Sequence, residues 1–253
     1  MIRFFRKIRY DLMEKNKTGK YLLYAIGEIL LVVIGILIAI SINNWNENQK
    51  NNNEETAILK SLYENLILAK TQSESLIIGE RELRNTLVNV LGIQSNNTDV
   101  NRTSLTDSIF AKAIWTMVTD VPVINSYTNL KNTGRLDLIK SQEIKEKFTS
   151  LEINQTGLID ILKDRLDVHQ IRIDDIAEND LNFVRLIKTQ IPTVNIENEL
   201  QNDYNQILKN QRLRNLLGIK LMLTHNALRE RENFNKDIIE LKLLIETELN
   251  KKK

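Results

Sequence analysis

Few side chains in this sequence have types and spacing suited to chemistry. Glu28 is a lone carboxylate in an otherwise apolar run, residues 21–42, broken elsewhere only by Ser41. An ionisable group inside hydrocarbon costs at least about 2.5 kcal/mol by insertion scales, so it is expected to face protein or water. Three roles are open to it: a hydrogen bond between identical spans, snorkelling or a neutral form with no further role, or ion coupling to a separate channel subunit. At 100° per residue Tyr21, Ala25, Glu28, Val32, Gly35 and Ala39 share one stripe. Gly35-xxx-Ala39 is a small-xxx-small pair that admits a close second helix.

The two histidines read differently. His169 falls on an apolar helical stripe and is expected to be a satisfied core residue. His225 precedes the run Arg229-Glu230-Arg231-Glu232, which reads as a solvated face. Asp174-Asp175 reads as an exposed pair with no acid/base role. The chain has no Cys, which excludes disulfides and thiolate metal sites. No His-Glu-x-x-His, Glu-x-x-His, phosphate-binding glycine loop or nucleophile elbow is present. The expectation is therefore a non-enzyme: no catalytic residue, no cofactor and no metal.

These residues need elements to position them. Residues 21–42 suit one membrane-crossing helix, since about 20 apolar residues match a hydrocarbon core of about 30 Å. A signal peptide would have a core of about 7–15 residues, so Ala39-Ile40-Ser41 is not read as a cleavage site. Residues 1–20 carry seven basic groups against two acidic, a net of +5, and residues 43–253 carry 28 basic against 30 acidic. The larger part thus lacks the basic surplus that nucleic acid demands. In the tail Ile2, Phe4, Phe5, Ile8 and Leu12 share an arc opposite Arg3, Arg6, Lys7 and Asp11, with Arg9 at the border. The two readings of it are a cationic amphipathic helix on an anionic leaflet and a basic stub that only sets topology. The positive-inside bias puts the N-terminus in the cytoplasm and the large domain outside it. Tyr21, Tyr24 and Trp45 are the expected interfacial anchors.

Beyond the span the sequence reads as all-α. Residues 43–53 are either a flexible stalk or a polar continuation of the helix, and the lack of Pro and Gly favours helix. A 3-4 spacing from Leu59 to Val90 predicts a long helix over 54–91, closed by Gly92, with Ser73 and Glu80 as interruptions typical of a bundle. After a polar loop at 95–104, a helix runs from Ser104 or Thr106 to about Thr119, and Pro122 breaks the chain. A short helix then closes at Gly134 in a corner containing Tyr127 and Leu130, read as a structural turn. Ser141 caps a long helix marked by Ile144, Phe148, Leu151, Leu158, Leu162, Leu166, His169, Ile173 and Ile176. A last long segment begins near Leu200 and runs to the terminus, with Gly218 a candidate kink. The expected architecture is one transmembrane helix followed by an antiparallel bundle of three or four long helices over 54–253.

The stretches Thr18-Gly19-Lys20-Tyr21 through Tyr24-Ala25-Ile26-Gly27-Glu28, Val33-Ile34-Gly35-Ile36-Leu37-Ile38-Ala39 and Ile42-Asn43-Asn44-Trp45-Asn46-Glu47 resemble an uncharacterised family of single-span proteins from Gram-negative bacteria. A second stretch, Tyr127 through Asn132-Thr133-Gly134-Arg135 to Lys140, resembles that family too, with Thr133 where its usual residue is Ser. The resemblance implies an inner-membrane protein with its large domain in the periplasm; the family being of unknown function, it says nothing of an activity. In a bacterial protein the Asn-x-Thr patterns at Asn96, Asn101 and Asn154 mean nothing.

The leading expectation is an anchored helical module that binds the lipid bilayer and acts through a homo-oligomer or another envelope protein. The alternatives are an extracytoplasmic sensor, which with only residues 1–20 in the cytoplasm would signal through a partner's helix, and an ion-coupling subunit using Glu28.

Overall fold

The computed structural model describes residues 18–93 and 105–252, without the side chains of Thr18, Lys20, Tyr21, Tyr24, Gln170 and Ile171. Arg3, Arg6, Lys7, Arg9 and the 95–104 loop lie outside the described residues. Eight α-helices, a 3₁₀ turn at Leu136–Leu138 and a π-helical turn at Val168–Ile173 form the described regular structure, and no β-strand occurs among these residues. The chain divides into two units, Met1–Ala57 and Ile58–Lys253.

The first unit is helical from Thr18, within α1 (Thr18–Leu91). Residues 43–53 are helix, consistent with the absence of any Pro or Gly there. Its Leu, Ile and Val side chains over 22–42 are exposed, among them Leu23 at 76% and Ile42 at 61%. The helix is long and apolar enough to cross a membrane, and none of its most apolar window is buried.

In the second unit the long elements are residues 58–91 of α1, α4 (Gln142–Asp167) and α8 (Gln211–Lys251). Their apolar side chains form two main clusters. One joins Leu59, Leu62 and Leu66 to Ile144, Phe148 and Leu151 of α4 and to Phe234, Ile238 and Leu241 of α8. The other joins Leu83, Leu87 and Val90 to Ile173 and Ile176 beyond α4, and to Leu213, Leu216 and Leu217 of α8. The order of clusters along each helix fixes direction: α1 and α4 run the same way and α8 runs back. The leg between α1 and α4 is broken. It begins with α2 (Asp107–Trp115) in the second cluster, crosses by an extended segment, 116–124, and ends with α3 (Asn125–Asn132) in the first. The result is an up-down-up-down bundle with one discontinuous leg.

Local chemistry explains the boundaries. α1 stops at Gly92, whose φ of 64° suits glycine. Thr106 caps α2 by accepting from the Ile109 N–H at 3.3 Å. α2 stops at Trp115, four residues before the expected Thr119, and Thr116 is already extended. α3 closes on Gly134 at φ 67°, and the Arg135 N–H returns to the Leu130 carbonyl at 2.9 Å. Ser141 caps α4 by accepting from the Ile144 N–H at 3.3 Å, with Glu143 in the first turn. The expected unbroken helix through Ile176 is instead α4, the π turn and α5 (Asp174–Asp180), followed by α6 (Phe183–Ile187).

The last long segment starts later than its spacing suggested. Leu200 is 82% exposed, and Tyr204 and Ile207 sit in a separate short helix, α7 (Tyr204–Ile207). Asn210 starts α8 by accepting from the Arg212 and Leu213 N–H groups at 3.0 and 3.3 Å. Helix continues through Gly218.

Candidate functional site

Between the two apolar clusters the long helices turn polar side chains inward. Ser73 and Glu80 of α1, Arg165 of α4, and Lys220, Thr224 and Arg231 of α8 are all buried. Glu80 is the hub. One oxygen pairs with Arg165 Nη1, and the other accepts from Arg231 Nε at 3.0 Å and Arg165 Nη2 at 3.5 Å. Arg165 Nη1 also reaches Thr224 Oγ1 at 3.3 Å.

The rest of this cationic density is spent on backbone. Val118 carbonyl oxygen accepts from Arg165 Nη2 and from Arg231 Nη2, each at 2.7 Å, and Asp120 carbonyl oxygen accepts from Arg231 Nη1 at 2.8 Å. Lys220 Nζ donates to the Ala113 and Ile114 carbonyls at 2.9 and 2.6 Å. A half-buried extended segment packed against a bundle has no helical partners for its carbonyls, and an unpaired buried polar group costs about 1–3 kcal/mol. Arg165 and Arg231 supply donors to that segment, and Lys220 supplies them to the last turn of α2. This also explains why α2 ends early, since its last carbonyls and those beyond are held by side chains from α4 and α8.

The arrangement concentrates positive charge. Two guanidinium groups and the Lys220 amine, all buried, face one fully buried carboxylate, with the half-exposed Asp174 beside them. Burial, and then the Arg165 charge, push the Lys220 ammonium down to about 7. Burial, and then the Lys220 charge, hold His169 below its ordinary value, against the pull of Asp174. His169 lies in the π turn with its Nδ1 3.9 Å from Asp174 Oδ2. It is buried as its stripe implied; its ring is hydrogen-bonded to the Ile114 backbone, and its Nε2 has no partner among the described residues. A π turn and shifted titratable groups together mark a candidate functional site.

Other polar features hold structure. Asp107 accepts from Tyr204 Oη at 2.5 Å and Arg185 Nε at 3.1 Å, tying α2 to α6 and α7. It lines a cleft of about 380 Å³ with Ser108, Lys188 and Glu197. Because both its oxygens are engaged, it does not serve there as a free base. No group of three or more metal-ligating side chains occurs among the described residues.

The residues singled out in the sequence fall as follows. Glu28 is half-buried and Ala39 exposed on α1, and a Cβ at Gly35 would meet nothing within 4 Å. Tyr21 is within α1, its side chain undescribed. At the corner, Tyr127 stacks on Phe148 with ring centroids 4.2 Å apart, Leu130 is buried and Gly134 is exposed. His225 is exposed. Arg231 corrects the reading of 229–232 as a solvated run, being 2% exposed. Sequence reasoning missed Arg165 and Lys220 altogether, although both occupy inward positions at 3-4 spacing from Leu162 and Leu217.

Residues 28–156 match the model of a family of unknown function, DUF6090. No curated protein and no solved structure matches the chain. Neither that family description nor the all-helical fold gives a sign of catalysis.

Proposed function

The chain belongs to the DUF6090 family, whose function is unknown, and from that premise we propose that it is a single-pass, membrane-anchored helical module acting by association and not by catalysis. Residues 21–42 of α1 cross the bacterial inner membrane, the basic tail stays in the cytoplasm and the helical bundle lies in the periplasm. The observation that carries this reading is the exposed apolar surface over 22–42. Soluble monomers keep contiguous apolar patches to about 300–600 Å², and a helix this apolar on every side exceeds that. The +5 of residues 1–20 supports the orientation.

Association runs through the stripe of Glu28, Gly35 and Ala39, with a second copy or another envelope protein as partner. Gly35 leaves room for a neighbouring backbone, as a Cβ there meets nothing within 4 Å, and a carboxylate on the same face gains a hydrogen bond that lipid does not offer. Cross-linking of the full-length protein in native membranes tests this. Oligomers that weaken in Gly35→Ile support the reading, and a strictly monomeric pattern in the unaltered chain refutes it. An alkaline carbonate wash that releases the intact chain would remove its foundation.

A further inference from the structure

Lys220 reaches from α8 into the bundle and donates to the last two inward carbonyls of α2, those of Ala113 and Ile114. The charged or titratable groups around it come from every packed element: Glu80 of α1, Arg165 of α4, His169 of the π turn, Asp174 of α5 and Arg231 of α8. From the α2 leg, Lys112 is exposed, Asp120 is exposed but its charge acts on Arg231, and Asp107 is engaged by Arg185 and Tyr204. Three polar atoms in this group, Arg165 Nε, His169 Nε2 and Asp174 Oδ1, are buried without hydrogen-bond partners.

The hydrogen count at Lys220 decides which form fits. A neutral amine has two N–H groups, and two carbonyls receive them. An ammonium adds a third N–H and a charge beside Arg165, in a site already rich in cations. The closed bundle therefore fits the neutral amine, whereas a solvated Lys220 takes up a proton readily.

We propose that the Lys220–His169–Asp174 cluster is a proton-operated latch on α2 and the extended segment after it. Proton loss seats residues 107–121 against α8 and the π turn, and proton uptake releases them. The direction follows from linkage. Lys220 has its ordinary value of 10.5 when solvated and about 7 when buried. Between these values the open state holds more protons, so opening increases about tenfold for each unit of acidification, and the closed state gains as pH rises. His169, also lowered by burial, extends the same sense of response below its ordinary 6.5. The ligand is the proton, and the inference requires nothing of the membrane reading, so the two fail separately.

Hydrogen exchange of the full-length protein in lipid nanodiscs, read by mass spectrometry from pH 7 to 9 and corrected for intrinsic exchange, tests it. Protection of peptides within 107–121 and 168–180 is expected to rise about tenfold per pH unit, while peptides from 58–69 stay level. Lys220→Met is expected to flatten the slope whatever its protection level. A flat wild-type profile, an equal slope throughout the bundle, or an undiminished slope in Lys220→Met overturns the latch. Should Lys220→Met not fold, the spatial pattern in the wild type decides alone.

Discussion

Replacing Glu80 by Gln keeps the shape of the hub and removes its charge. Glu80 is fully buried and receives Arg165 Nη1 and, at 3.0 Å, Arg231 Nε. Hydrogen bonds to charged groups contribute about 1.5–3 kcal/mol each. Removing one partner of a buried ion pair typically costs about 3–5 kcal/mol, because an uncompensated charge stays behind. Here two guanidinium groups stay behind. Two features moderate the loss: the Val118 and Asp120 carbonyls keep their donors, and the Gln carbonyl still accepts one bond. The expected destabilisation is about 3 kcal/mol. With a urea m-value of roughly 2–3 kcal/mol/M for a domain of this size, the midpoint should fall by about 1 M. Trp115 fluorescence in mild detergent, on a Trp45→Phe background, reports the transition. A second arm separates this cluster from an ordinary buried ion pair. Apolar replacement of such a pair is often neutral or stabilising, but in Glu80→Leu/Arg165→Met/Arg231→Met the Val118 and Asp120 carbonyls lose their donors. That triple variant should therefore remain less stable than wild type. A triple variant as stable as wild type, or a Glu80→Gln loss below about 1 kcal/mol, would refute the claim that these side chains hold the broken leg.

Two further outcomes follow from single contacts. Gly134→Ala should cost about 1 kcal/mol in the same assay and Gly134→Asn less: φ is +67° while nothing lies within 4 Å of an added Cβ, so the penalty is conformational and not steric. Tyr204 is pushed above its ordinary value of 10.0 by burial and by its bond to Asp107. A raised value means that its contribution is present below pH 10 and lost as pH climbs above it. Stability should accordingly fall above pH 10, and the fall should be shallower in Tyr204→Phe, which alkaline urea titrations would reveal.

The helical architecture was legible because its signals are local and repeated. Leu59, Leu62 and Leu66 recur at helical spacing, and Thr106, Gly134 and Ser141 mark ends by chemistry confined to a few residues. The polar layer was not legible in the same way. Ser73 and Glu80 stood out as breaks in an apolar stripe, but nothing along the chain names Arg165 and Arg231 as the partners of Glu80, 85 and 151 residues away. Arg231 was masked further by Arg229, Glu230 and Glu232, since a mixed charge run usually faces water. Its spacing from Lys220, Thr224, Ala227 and Phe234 does place it on the buried stripe. The early end of α2 was illegible for a related reason: residues 116–119 contain no Pro or Gly, and what ends the helix there is capture of its carbonyls by side chains from elsewhere.

That capture connects the fold to its electrostatics. A continuous helix as second leg would have bonded its own carbonyls and asked nothing of the core. A leg that breaks into a half-buried extended stretch needs donors, and those donors reach it from neighbouring helices. Long cationic side chains do this where Ser, Thr or Asn would fall short. Each brings a charge whose desolvation costs several kcal/mol, and Glu80 shares two of them. Lys220 is left with carbonyls for direct partners and Arg165 for a near neighbour. Unlike Arg, Lys can shed its charge when burial demands it. The same break that creates the need for donors thus leaves one of them near neutrality in its proton affinity, and it places that donor on the last turn of α2, where helix gives way to the extended segment.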